Sequence, residues 1–107
     1  MQVTPGQWVA VLVSIDNVGD WPDAYWVSAS VEKAGWGIDL CTDSCYGPGP
    51  FQTPLVTNGR LFRFSLRILA PGDAKPGERV SVVVRVRSVG DSALEQRRAL
   101  EVEVGAP

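Results

Sequence analysis

Histidine is absent from the 107 residues. That removes the commonest general base near neutral pH together with the commonest metal ligand, so the chain is expected to be non-catalytic, with no cofactor and no metal centre. Positive charge is not in excess either. Ten Lys and Arg stand against 12 Asp and Glu, a net of -2, with no basic block, so the attraction that drives binding to nucleic acid is missing. Long apolar runs are lacking: the longest, around Trp8 to Ser14, falls far short of the ~20 residues of a membrane-spanning helix. No basic stretch precedes it as in an export leader, and membrane insertion is not expected. No segment sustains a 3.6-residue apolar period; the one helical candidate is a turn near Ser92 to Arg98.

What the sequence does contain is apolar and polar residues in alternation, which puts one set of side chains on the buried face of a strand. Val9, Val11, Val13 and Ile15 share one side of a first strand, which ends at the turn-forming Asp16-Asn17-Val18-Gly19-Asp20. A second follows with Tyr25, Val27, Ala29 and Val31 inward and Trp26, Ser28 and Ser30 outward. In a third, Phe62, Phe64, Leu66 and Ile68 oppose Arg63, Ser65 and Arg67. A fourth, from about Arg79 to Val89, turns Val80, Val82, Val84 and Val86 inward and Arg85 and Arg87 outward, and a fifth turns Leu100, Val102 and Val104 inward and Glu101 and Glu103 outward. An antiparallel hairpin around a loop from Gly90 to Arg98 places Arg87 opposite Glu101 and Arg85 opposite Glu103. Exposed pairs of this kind contribute only ~0.2–1 kcal/mol each, so these four residues read as a solvated sheet face.

Residues 32–57 hold Gly35, Gly37, Gly47, Gly49, Pro48, Pro50 and Pro54 and show no period. They are read as long loops around one short strand near Ile38 to Cys41. Pro71 to Gly77 excludes regular structure, because its two prolines lack donors and its glycines favour positive φ. One hundred and seven residues suffice for one core and not two. The expectation is a single all-β domain over residues 1–107, an immunoglobulin-like antiparallel β-sandwich of about seven strands.

The order of turn signals resembles a known group. Thr4-Pro5-Gly6-Gln7, an alternating strand, then Asp16-Asn17-Val18-Gly19 match its opening; Leu69-Ala70-Pro71-Gly72-Asp73-Ala74-Lys75-Pro76-Gly77, a valine strand and Ser88 match its ending; Gly35-Trp36 falls at its Gly-Trp pair. On these motifs the chain resembles the Ig-like domains associated with the NPCBM module of alpha-galactosidases and their relatives in bacterial and archaeal adhesins and S-layer-type surface proteins. The resemblance implies a seven-stranded sandwich used as a spacer, adhesive or accessory unit, and brings no catalytic residues with it. Such domains begin with a strand before the Pro-Gly turn, where this chain has only Met1, Gln2 and Val3. Either that strand is very short, or an open edge is available for strand addition.

Cys41 and Cys45 are the only cysteines, separated by Thr42, Asp43 and Ser44 in a Gly- and Pro-bordered loop. A disulfide is the expected pairing in a secreted chain; a two-thiolate metal site would need two further ligands and has no histidine to recruit. Trp8, Trp21, Trp26, Trp36 and Tyr46 are the candidate binding residues, since rigid aromatic faces stack on sugar rings or anchor protein interfaces. Closing the ends of a sandwich is the competing use for each tryptophan. Trp26, in phase with Ser28 and Ser30, is the one expected to be most exposed. Asp16, Asp20, Asp23, Asp39 and Asp43 lack calcium-loop spacing and read as turn formers. The chain is thus expected to be an extracellular, cell-surface or virion-surface structural and interaction module with protein partners. The alternative is an accessory polysaccharide-binding or spacer domain of a secreted glycoside hydrolase.

Overall fold

The computed structural model describes residues 1–106. Among them there is no helix, and eight strands form: β1 (Gln2–Val3), β2 (Trp8–Asp16), β3 (Tyr25–Val31), β4 (Gly37–Cys41), β5 (Phe51–Gln52), β6 (Leu61–Leu69), β7 (Arg79–Ser88) and β8 (Glu95–Val104). A five-stranded sheet in the order β1-β8-β7-β3-β5 faces a three-stranded sheet in the order β2-β6-β4.

The alternation sets the inner faces as expected. Val27, Leu40, Phe64, Leu66, Ile68, Val80, Val82, Val102 and Val104 are the most deeply buried side chains, drawn from both sheets. Phe64 meets Phe51 edge to face at 5.8 Å and Phe62 at 6.5 Å, which closes the centre of the sandwich.

Three expectations are corrected. The β7–β8 hairpin is tighter than the one read from Arg87 and Glu101: Arg87 faces Glu95, Arg85 faces Arg97, and Glu101 and Glu103 face Ser81 and Arg79. The turn expected near Ser92 to Arg98 is not helical, for β8 already starts at Glu95. The reason is that Gln96 and Arg98, in the inward phase opposite Val86 and Val84, are exposed. The hairpin reaches past the smaller sheet, so polar residues sit on its inner phase at little desolvation cost and the period-two signal fails there. The sandwich is also not wholly antiparallel, because β1 runs parallel to β8. Too short to need a hairpin, β1 covers the C-terminal end of the β8 edge, with Val3 buried and Glu103 and Gly105 donating to the Met1 and Val3 carbonyls. The N-terminal strand is therefore present, and very short.

The segment 32–57 is mostly loop, as expected, but it gains β5, whose two residues are too few to show a period. The Ala29 and Thr53 N–H groups bond across this edge to the Pro48 and Tyr25 carbonyls. Gly49 makes the close approach possible: at φ +82°, a Cβ there would lie 2.6 Å from the Val27 carbonyl oxygen.

Candidate functional site

Chemistry-bearing side chains collect on the outer faces of the two sheets. On the larger sheet, register builds rows across β3, β7 and β8. Trp26 lies between Gln52 and Arg87, which in turn faces Glu95; Ser28 lies beside Arg85, which faces Arg97. Trp26, Ser28, Pro50, Arg85, Arg87 and Glu95 line a shallow open groove. Glu95 accepts from the Arg85 Nε at 3.1 Å and lies 4.0 Å from the Arg97 Nε. Arg87 forms no ion pair among the described residues. Two guanidinium groups thus share one carboxylate and a third is unpaired, next to an indole 38% exposed. Such a surface suits carboxylates, planar polar groups and aromatic faces. Its one carboxylate is already engaged by guanidinium groups and is poorly placed to act as a base.

The smaller sheet carries a second aromatic platform. The Trp8 ring crosses β6 toward β4, where Gly37 leaves it room: a Cβ at that position would stand 3.1 Å from the indole Cη2. The Arg67 guanidinium sits over the ring at 4.8 Å and faces Asp39 at 3.9 Å. Asp39 Oδ1 accepts from the Gly47 N–H. Asp39, Cys41 and Cys45 place three ligand atoms within 4.8 Å of one another. The two sulfurs, however, are joined as a disulfide, which leaves a single carboxylate and no metal-holding set. Closing a five-residue loop stabilises by ~2 kcal/mol on the chain-entropy account. Reduction is expected to lower the melting temperature and to loosen residues 35–54, and alkylation of the native protein should find no free thiol.

Of the five aromatic candidates, the structure brings none together in one cluster. Trp21 is the most exposed, at 79%, in the loop after Asp20. Trp26, the one expected to be most exposed, is less exposed than Trp8, Tyr46 and Trp21. Tyr46 stacks on Phe51 at 4.9 Å and is half covered. Trp36 is corrected outright: at 8% exposure it belongs to the core, filling the end of the sandwich before β4, and has no face to offer a ligand. The arginine cluster was legible only in part. Arg85 and Arg87 showed in the sequence as an outward stripe, whereas Arg97 and Glu95 fell in a stretch read as loop.

At one end of the sandwich Asp23 ties β3 to the β7–β8 loop. Its carboxylate accepts from the Ser88 hydroxyl and from the Ala24 and Gly90 N–H groups, and Ser88 in turn accepts from the Asp91 N–H. The Ser88 hydroxyl above all, with the Gly90 and Ala24 amides, holds the Asp23 carboxyl below its ordinary value of 3.8. A carboxylate with a depressed folded-state pKa stabilises above its unfolded value and loses that contribution as pH falls through the lower folded one. Asp23→Asn is therefore expected to flatten the decline of melting temperature below about pH 4, measured against the parent chain.

The fold and its open faces define the class of molecule: an immunoglobulin-like β-sandwich whose polar and aromatic groups sit on sheet surfaces. In particular, it is similar in structure to the ASH/PapD-like domain of human CEP192, PapD-like domain 7, with a TM-score of 0.55 and 11% sequence identity over 99% of this chain and 80% of that one. At that identity the likeness is one of fold. No family model and no curated protein matches the sequence.

Proposed function

We propose that this chain is a non-catalytic module that binds other proteins and builds a larger assembly outside the reducing cytosol. One observation carries the reading: the Trp26, Arg85, Arg87, Arg97 and Glu95 surface is broad and open, with arginines in excess of their carboxylate partner. Tryptophan and arginine are the side chains that dominate protein interfaces, and a surplus guanidinium offers a charged hydrogen bond to an incoming carboxylate. The Cys41–Cys45 disulfide supports an oxidising compartment. The likeness to Ig-like surface modules noted in the turn motifs agrees with the same role.

Cross-linking mass spectrometry on the native source tests the reading. Cross-links from the sheet face that carries Arg87 and Glu95 to other polypeptides are expected, and the Trp26→Ala, Arg87→Glu double variant should lose them while keeping its melting temperature. Saturable quenching of tryptophan fluorescence by polysaccharide, abolished by Trp26→Ala and unaccompanied by protein cross-links, would instead establish the sugar-binding role.

A further inference from the structure

The sheets have four outer edges, and three are covered or charged. The β8 edge is paired with β1 only at Glu103 and Val104, and the rest of it carries Glu95, Arg97, Arg98 and Glu101. The β3 edge is covered by β5 and the loop before it. The β4 edge is capped by its own disulfide loop, in which the Leu40 N–H donates to the Gly47 carbonyl and the Tyr46 N–H to the Leu40 carbonyl. The fourth edge is β2, nine residues long and bonded only to β6.

The phase of its free groups can be read from the bonds it makes. The Asn17 N–H donates to the Arg60 carbonyl, so odd-numbered residues of β2 point their backbone groups at β6. The N–H and C=O groups of Trp8, Ala10, Leu12, Ser14 and Asp16 then face outward. No backbone bond reaches them among the described residues. Edge strands are ordinarily blunted by lysine, proline, a bulge or short length. β2 has none of these; its register against β6 is unbroken, and its one charge is the terminal Asp16. Its inward valines, Val9, Val11 and Val13, stay only half-buried, and Leu12 on the outer face is 64% exposed.

From this edge we infer that two copies of the chain associate through antiparallel β2–β2 pairing about a two-fold axis at Leu12, which fuses the three-stranded sheets of both copies into one. The inference rests on the reading of the chain as a protein-binding module and names the partner for this second surface. The sequence of β2 is close to self-complementary about Leu12. Leu12 meets Leu12, Val11 meets Val13, Val9 meets Ile15 and Ala10 meets Ser14, so apolar residues match on the inner face and small residues on the outer. In the same register the residues with outward backbone groups oppose one another and can exchange paired hydrogen bonds. Asp16, the one charge of β2, falls opposite Trp8 of the other copy, so no like charges meet across the pair. The Trp8 ring lies across β6, away from the edge, and does not obstruct the approach.

Sedimentation equilibrium of the whole chain over a wide concentration range, with hydrogen exchange on the same samples, tests the pairing. A monomer–dimer equilibrium is expected, with the Ala10, Leu12 and Ser14 amides protected at high concentration and exchanging freely on dilution. Leu12→Lys sets two ammonium groups against each other on an exposed face and should raise the dimer dissociation constant about 100-fold without altering the melting temperature of the monomer. Trp26→Ala should leave the dimer intact, which separates this edge from the surface of the larger sheet. A chain monomeric at every concentration, or a dimer indifferent to Leu12→Lys, would overturn the pairing and leave the broader reading to its own cross-linking test.

Discussion

Phe64→Asp is expected to give a chain that does not fold. Phe64 is 2% exposed and contacts Phe51 and Phe62 at the centre of the sandwich. Removing such a ring costs about 3–5 kcal/mol, and an unpaired carboxylate in its place adds several more. Domains of this size have only about 5–15 kcal/mol of stability to lose. Near-ultraviolet circular dichroism and amide NMR dispersion should both collapse. Val84→Asp should behave alike from the opposite sheet. Arg63→Asp, one position along β6 on the exposed face, should fold as the parent does. A folded Phe64→Asp protein would mean that the inward phase of β6 has been misassigned.

Asn17→Leu is expected to cost about 3–5 kcal/mol and more than ~10 °C in melting temperature. Asn17 is 4% exposed, and its side chain ties the β2–β3 loop to the β5–β6 loop. Its amide nitrogen donates to the Trp21 and Val56 carbonyls, each at 2.9 Å, and its oxygen accepts from the Gly19 N–H at 3.0 Å. Leucine would take one of two donors from the Val56 carbonyl, which keeps the Asp23 N–H, and would strip the Trp21 carbonyl and the Gly19 N–H of their side-chain partner, the unfavourable case for polar burial. Asn17→Asp keeps the acceptor but turns a carboxylate toward two carbonyl oxygens, and should be nearly as damaging. Trp21→Ala, next to this turn but largely in solvent, should change stability little. Urea denaturation of the three variants distinguishes a loss confined to the Asn17 amide from a general loosening of the loop.

How much of this was legible varied along the chain. Val80 to Val86 and Phe62 to Ile68 announced their faces because the inward side chains of both strands are buried or partly buried against the core, and a period of two survives only under that condition. The same rule misplaced the β7–β8 register, since Gln96 and Arg98 occupy inward positions beyond the reach of the smaller sheet. Trp36 read as a candidate binder because nothing local distinguishes a loop tryptophan that turns into the core from one that turns out. Asn17 read only as a turn former: its partners Trp21 and Val56 come together through tertiary packing. Leu12 could have been noticed, as an apolar residue in the outward phase of an otherwise regular strand. Its meaning depended on knowing that β2 is an edge.

The sequence alone determined that this is an all-β sandwich without histidine chemistry, with valine-rich inner faces and a short cysteine-closed loop. These properties follow from composition and from side-chain alternation, both local to the chain. The strand order, the parallel β1 cap, the gathering of Arg85, Arg87, Arg97 and Glu95 beside Trp26, and the exposure of one unshielded edge were decided by tertiary structure. Each depends on which strands become neighbours, and that is settled by burying both sheets at once, a condition no single segment carries.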